Sequence, residues 1–198
     1  MKDISVAWKL RPSDQLHRTV TLASVFSEEE LQEIKNVALG VETSAPLIAG
    51  GSEHKDIRNC QVKWLQPEDN TVWIYQRLVD AIQKINSEYF NLNLYGLQTL
   101  QYTVYDAGNN EFYKAHRDAF NMASKGLTRK LTFSIQLSDP SEYEGGELVI
   151  DVDHYPQTAS KTKGDMIFFL SSCVHEAKPV TKGIRHVLVA WVVGPPAV

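Results

Sequence analysis

Two periodicities divide the chain. Up to about Tyr89 apolar residues recur at steps of three and four, and from Leu97 onward at every second position. The stretch from Phe26, FSEEELQEIKNVALG, predicts a helix. Ser27 is its N-cap, Glu30 the capping-box partner, Phe26 and Leu31 a hydrophobic staple, and Gly40 the stop. A second helix is predicted where Val72, Tyr75, Leu78, Val79, Ile82, Ile85 and Tyr89 form one apolar face over about five turns. Between the two, Ala45 to Ser52 is a Gly/Pro-bearing loop and Ile57 to Leu65 has strand character.

The period-two region contains short runs rich in β-branched and aromatic residues: Leu97 to Tyr105, Phe112 to His116, Arg129 to Leu137, Glu147 to Val152, Met166 to Leu170, Val174 to Val180 and Ile184 to Val193. Turn chemistry separates them at Ala107-Gly108-Asn109-Asn110, Gly145-Gly146 and Lys163-Gly164-Asp165. Seven or eight such strands predict an α+β, mainly β protein: a double-sheet jelly roll with the two helices packed on one sheet. The last run, IRHVLVAWVV, is apolar on both faces, as a strand is when helices cover one side and the other faces an interior.

Composition narrows the class. A length of 198 residues with 43% hydrophobic and 22% charged residues is that of one ordinary globular domain, with 1–96 as a helical support region and 97–193 as the β core. Lys and Arg number 20 against 24 Asp and Glu, a net charge of −4 with no basic block, so the electrostatic footprint of a nucleic-acid binder is missing. Cys60 and Cys173 are too few and too far apart for a disulfide framework, which points to a reducing, cytoplasmic setting. No apolar run approaches the roughly 18 residues of a membrane-spanning helix, and the N-terminus lacks a signal h-region. A soluble monomer without membrane or nucleic-acid partners is expected.

The candidate chemistry lies in the β region. His116 and Asp118 are two apart at a strand end, so their side chains leave on the same face. His175 opens a later strand. Two imidazoles and one carboxylate make the facial triad of non-heme Fe(II) oxygenases, which leaves adjacent positions for an oxidisable cosubstrate and O2. Arg185 follows His175 across a short Thr181-Lys182-Gly183 turn, which would return it to the same cavity. Its guanidinium fork suits the distal carboxylate of a keto-diacid whose other end chelates iron. Val187, Val189 and Trp191 share its face and should wall that pocket.

The ordered motifs HRD (116–118), SDPSEYEGGELVI (138–150) and GDMIFFLSSCVHEAKPVTKGIRHVLVAW (164–191) resemble those of the 2-oxoglutarate and Fe(II)-dependent oxygenases of the prolyl 4-hydroxylase superfamily, particularly the bacterial and phage-type hydroxylases. The resemblance covers about residues 97–193, and RNCQVKWL (58–65) with the second helix extends it more weakly. It implies a distorted double-stranded β-helix. It also implies His116, Asp118 and His175 as iron ligands, Arg185 as the anchor of the 2-oxoglutarate C5 carboxylate, and Tyr105 as a residue hydrogen-bonding near the cosubstrate. The chain departs from prolyl hydroxylases at Gln136, where they carry a tyrosine.

The expected activity is a 2-oxoglutarate- and Fe(II)-dependent dioxygenase that consumes O2, is supported by ascorbate, and hydroxylates an unactivated C–H bond in a peptide, protein or small-molecule substrate, prolyl or otherwise. The alternative is a cupin-like jelly roll that holds a metal without turnover. Demethylation of nucleic-acid bases fits the net charge less well and lacks a second pocket arginine after Arg185. Other residues have plainer readings. Asp151, Asp153 and His154 form a solvated turn; His17, His54 and His186 are not ligands; Cys173 is a small buried residue; Trp64, Trp73 and Tyr75 are packing aromatics. Loop 41–56 is the expected substrate lid, with Ala119 to Leu127 as its partner.

Overall fold

The computed structural model describes residues 19–47, 53–119, 121–122 and 126–196. Helix α1 (Glu28–Leu39) forms as its sequence predicts. The Ser27 side chain accepts from the Glu30 backbone N–H, the Glu30 side chain accepts from the Ser27 N–H, and Gly40 closes the C-terminus. Helix α2 (Val72–Ile85) is shorter than the apolar spacing predicts, because it relaxes into a π-helical turn over Asn86–Phe90 that ends on left-handed Asn91. Its buried face is Ile74, Leu78, Ala81, Ile82 and Ile85. Val72 and Val79, expected on that face, are exposed.

Among the described residues fourteen strands, all antiparallel in their pairings, make two sheets. The larger contains β1 (Val20–Leu22), β3 (Gln61–Leu65), β5 (Leu100–Asp106), β8 (Leu127–Gln136), β12 (Met166–Leu170) and β14 (Val180–Gly194) in the order β1-β12-β8-β14-β5-β3. Short strands β4 (Gly96–Leu97) and β9 (Tyr143–Gly145) pair with β14, and β7 (Asn121–Met122) pairs with β8. The smaller sheet runs β11-β10-β13-β6-β2, from β2 (Arg58–Asn59), β6 (Phe112–His116), β10 (Leu148–Val152), β11 (Tyr155–Thr158) and β13 (Val174–Ala177).

Alternation on the larger sheet separates two interiors. Leu100, Tyr102, Val104, Leu131, Phe133, Ile135, Leu188, Ala190 and Val192 face the helices and share one buried cluster with Leu31, Ile34, Leu78 and Ile82. The opposite face, turned toward the smaller sheet, carries Gln101 and Tyr105 from β5, Thr132 and Ser134 from β8, and Arg185, Val187, Val189 and Trp191 from β14. The helices do pack on one sheet, and the other face of that sheet forms the wall of a cavity.

Three expected boundaries move. The run Ile57 to Leu65 splits at Cys60: β2 joins the smaller sheet through β6, while β3 joins the larger through β5. The run Val174 to Val180 stops at Ala177, and Val180 begins β14. Thr181-Lys182-Gly183 is not a turn. These residues lie inside β14, where Lys182 and Gly183 pair with Glu144 and Tyr143 of β9, a strand absent from the periodicity. Gly183 sits at φ +71°, where an added Cβ would lie 2.0 Å from the Glu142 carbonyl oxygen, so the strand passes this crossing only as glycine. Asp153 and His154, at φ +51° and +67°, are the two central residues of the β10–β11 hairpin, so the expected turn has the mirror-image geometry such hairpins favour.

Candidate active site

Strand pairing assembles the site from residues distant in sequence. In the smaller sheet His116, last residue of β6, lies directly opposite His175 of β13. Asp118 follows two residues later and is buried between them, with Oδ1 3.6 Å from His116 Nε2 and Oδ2 3.2 Å from His175 Nε2. All three ligand atoms fall within 4.8 Å of one another. Each imidazole has its Nδ1 beside a backbone carbonyl, that of Lys114 at 2.8 Å for His116 and that of Cys173 at 3.1 Å for His175. Donation there fixes the tautomer and leaves both Nε2 lone pairs aimed at the carboxylate side.

The surroundings hold these groups in place. Thr132 Oγ1 donates to Asp118 Oδ2 at 3.0 Å and is itself 2.9 Å from Ser171 Oγ. Tyr113 stacks on His116 at 3.5 Å between ring centroids, and Phe169 meets His175 edge-on at 4.7 Å. Burial alone would raise the Asp118 carboxyl, but the imidazoles of His175 and His116 outweigh it and hold the group well below the usual carboxylate range. Burial lowers the His116 imidazole, which favours the neutral ring that binds a metal. Two imidazole nitrogens and one carboxylate oxygen, with no thiolate, fit Fe(II).

In the larger sheet Arg185 lies directly opposite Tyr105. Its guanidinium is buried 5.5 Å above the Tyr105 ring, and its Nε and Nη2 donate to Gln136 Oε1 at 3.3 and 3.2 Å. No described carboxylate pairs with it. Gly146, at φ +63°, leaves room for the arginine stem, since a Cβ there would come within 3.1 Å of Arg185 Cδ. Burial raises the Tyr105 phenol far above its ordinary range, so it stays protonated. The triad, Tyr105 and Arg185 all line one cavity of about 320 Å³, with Val187, Val189 and Trp191 as its expected apolar wall.

Residues 100–193 match the family model of the 2OG-Fe(II) oxygenase superfamily. A PKHD-type hydroxylase of Gloeothece citriformis is 28% identical over 173 residues, spanning 87% of this chain and 76% of its own length. The chain is thus similar to the 2OG-Fe(II) oxygenases, over the region that carries Tyr105, His116, Asp118, His175 and Arg185. A PKHD-type hydroxylase of Nitrosomonas europaea is likewise 28% identical to this oxygenase, over 84% of this chain and 74% of that protein. Among solved structures, a prolyl-4-hydroxylase of Pseudomonas putida has the same fold, with TM-score 0.72, 19% identity, and coverage of 92% of this chain and 97% of that one. A prolyl hydroxylase of Trichoplax adhaerens in complex with a hypoxia inducible factor peptide fragment gives TM-score 0.74 at 19% identity, covering 90% and 86%. The oxygenase is a double-stranded β-helix enzyme that works with Fe(II), 2-oxoglutarate and O2.

All five candidate site residues of the oxygenase thus reach one cavity, and several expected bystanders join or leave it. Trp64, expected to be a packing aromatic, lines the cavity 6.3 Å from Trp191. Trp73 and Tyr75 do pack, the first edge-on to Phe26, the second with its hydroxyl donating to the Leu65 carbonyl. His186 points away from the cavity, with Nδ1 2.8 Å from the Tyr102 hydroxyl. Cys173 is half-buried against Ile167 and Phe169, and His54 is exposed. His17 lies outside the described residues, as do 48–52 of the expected lid and 120 and 123–125 of its partner. Leu47 and Ala119, at the described ends of those loops, line the cavity. Sequence reasoning passed over Thr132, Arg58 and Arg129. For Thr132 a signal existed: LTFSIQL alternates polar residues that are all buried, the mark of a strand whose second face meets a polar interior.

Proposed function

We propose that this oxygenase hydroxylates an unactivated C–H bond of a peptide or small-molecule substrate, with His116, Asp118 and His175 holding Fe(II) and Arg185 binding the far carboxylate of 2-oxoglutarate. One observation carries the reading. Two imidazoles with a carboxylate between them, and a buried guanidinium without a described acidic partner, face the same cavity from two different sheets. When bound, Fe(II) and 2-oxoglutarate supply the oxidation: one O2 is divided between succinate and the new hydroxyl group, and CO2 is released.

The chain's own residues position and exclude. The Lys114 and Cys173 carbonyls orient the imidazoles, and Thr132 fixes the carboxylate that the ion would share. Gln136 takes one edge of the Arg185 fork and leaves the remaining donors to a carboxylate, the position where prolyl hydroxylases use a tyrosine. Val187, Val189 and Trp191 keep water from that carboxylate. The peptide in the Trichoplax adhaerens structure belongs to an enzyme of the same fold and supports a peptide as one substrate class.

The test is succinate release from the purified protein with Fe(II), 2-oxoglutarate and ascorbate. Slow turnover without a primary substrate is expected, abolished in His116→Ala and His175→Ala together with stoichiometric iron. Unchanged iron content and turnover in either variant would refute the ligand assignment.

A further inference from the structure

Tyr143, in the motif SDPSEYEGGELVI, is buried, and its hydroxyl has no hydrogen-bond partner among the described residues. Strand pairing sets it beside the arginine. Tyr143 of β9 lies opposite Gly183 of β14, and Arg185 is two residues further along that strand, on the same face. Gly146 supplies the space between the two side chains: a Cβ there would stand 3.1 Å from Arg185 Cδ and 3.5 Å from Tyr143 Cε2. The ring shares a buried cluster with Tyr105, Ala177 and Val187, all of which line the cavity.

A buried hydroxyl left unpaired is costly, and the polar groups around this one are donors or already engaged. A guanidinium has five donors and no acceptor, so Arg185 can only donate to the phenol oxygen and cannot take its proton. The Lys161 ammonium, 4.5 Å from the ring centroid, is likewise a donor, and it is held by the Gly145 carbonyl at 2.9 Å and Glu147 Oε1 at 3.4 Å. Gln136 Oε1 accepts from Nε and Nη2 of Arg185. Burial raises the Tyr143 phenol against the opposing Arg185 charge, so the hydroxyl keeps its proton. The neutral donor and the unpaired cation beside it lack the same partner, an anionic oxygen.

We infer that the Tyr143 hydroxyl is a second anchor of the distal 2-oxoglutarate carboxylate, donating to one of its oxygens while Arg185 donates to the other. This deepens the hydroxylase reading and rests on its assignment of Arg185. The guanidinium supplies charge, and the phenol adds a donor whose position β9 fixes.

The test uses the full chain with Mn(II) in place of Fe(II), so that no turnover occurs, and calorimetric titration with two probes. 2-Oxoglutarate carries the distal carboxylate, whereas oxalate chelates the metal and has no group to reach Arg185. Tyr143→Phe removes only the hydroxyl. It should weaken 2-oxoglutarate by about tenfold or more, the loss expected when a charge-assisted hydrogen bond is removed, and leave the affinities for oxalate and Mn(II) unchanged. Without 2-oxoglutarate the variant should melt no lower than the wild type, because the hydroxyl makes no hydrogen bond there to lose. A merely structural role would lower the melting temperature and weaken both probes. Wild-type affinity for 2-oxoglutarate in Tyr143→Phe, or equal loss for the two probes, overturns the inference. Arg185→Ala separates the two failures. Full 2-oxoglutarate affinity in that variant would bring down the cosubstrate assignment itself; lost affinity there, with none lost in Tyr143→Phe, would bring down only the role of Tyr143.

Discussion

At the scale of single residues, electrostatics decides what each group can do. Arg185 is buried beside neutral partners, so no described carboxylate balances its charge. Hydrogen bonds to charged groups are worth about 1.5–3 kcal/mol, and a buried carboxylate left unpaired costs about 3–5 kcal/mol. Arg185→Ala should therefore weaken 2-oxoglutarate by at least about 100-fold at 1.4 kcal/mol per decade, with iron affinity unchanged, and Arg185→Lys should fall between because it keeps the charge and loses the fork. Titration of 2-oxoglutarate at saturating metal checks this, and a wild-type constant in Arg185→Ala would remove the cosubstrate assignment. Thr132 acts through Asp118. Thr132→Val removes the hydroxyl that donates to Oδ2 with little change of shape, and metal affinity should fall by about 10- to 100-fold. Metal dissociation measured with a competing chelator checks this, since a merely structural role would change the melting temperature and leave the metal constant alone.

At the scale of elements, legibility followed the range of the interactions. The α1 capping box is closed by groups three residues apart, so Ser27, Glu30 and Gly40 declared it in sequence. Residue chemistry and two-residue spacing brought His116 and Asp118 together in sequence, whereas Arg185 was assigned to their cavity through a turn that β14 replaces. Boundaries set by distant partners were not. Cys60 separates β2 from β3 only because two different strands, β6 and β5, recruit its neighbours. Thr181-Lys182-Gly183 has the composition of a turn, and β9 captures it as strand. Arg58 and Arg129 carried no signal in the sequence, since their burial depends on Tyr113 and Trp191 arriving from other elements. Gly183 makes the long β14 possible. Gly183→Ala should destabilise the protein by more than about 2 kcal/mol, combining the cost of a left-handed alanine with a clash against backbone that cannot swing away. Two residues on, Arg185 should lose its register, so 2-oxoglutarate binding should weaken along with stability. Urea unfolding and cosubstrate titration on the same variant check both, and wild-type stability would show that the strand crossing relaxes.

At the scale of the whole molecule, the larger sheet is a partition: its helix side is an apolar core, and its other side a polar cavity. His186 of β14 brings an ionisable group to the helix side, against Tyr102. Burial depresses its imidazole to about 4, with the Lys35 charge adding to the effect and Glu142 opposing it. The ring is therefore neutral in the folded protein and accepts or donates a hydrogen bond with Tyr102, whose phenol burial pushes up to about 12. In the unfolded chain the imidazole takes up a proton below about pH 6.5, whereas the folded one does so only near pH 4. The unfolded state thus binds more protons throughout that window. Stability from this group is complete above about pH 6.5 and is lost progressively as pH falls toward 4. The full shift would correspond to about 3 kcal/mol, and partial solvent contact reduces this to about 1–2 kcal/mol. His186→Gln keeps a hydrogen-bonding group for Tyr102 and cannot titrate. Its unfolding free energy should fall less than that of the wild type between pH 7 and pH 4.5, by about that amount, while groups common to both proteins, Asp118 and His116 included, cancel in the comparison. Parallel pH dependences in urea unfolding would mean that His186 takes up its proton in the fold over the same pH range as in the unfolded chain, and that the helix side of the partition admits charge.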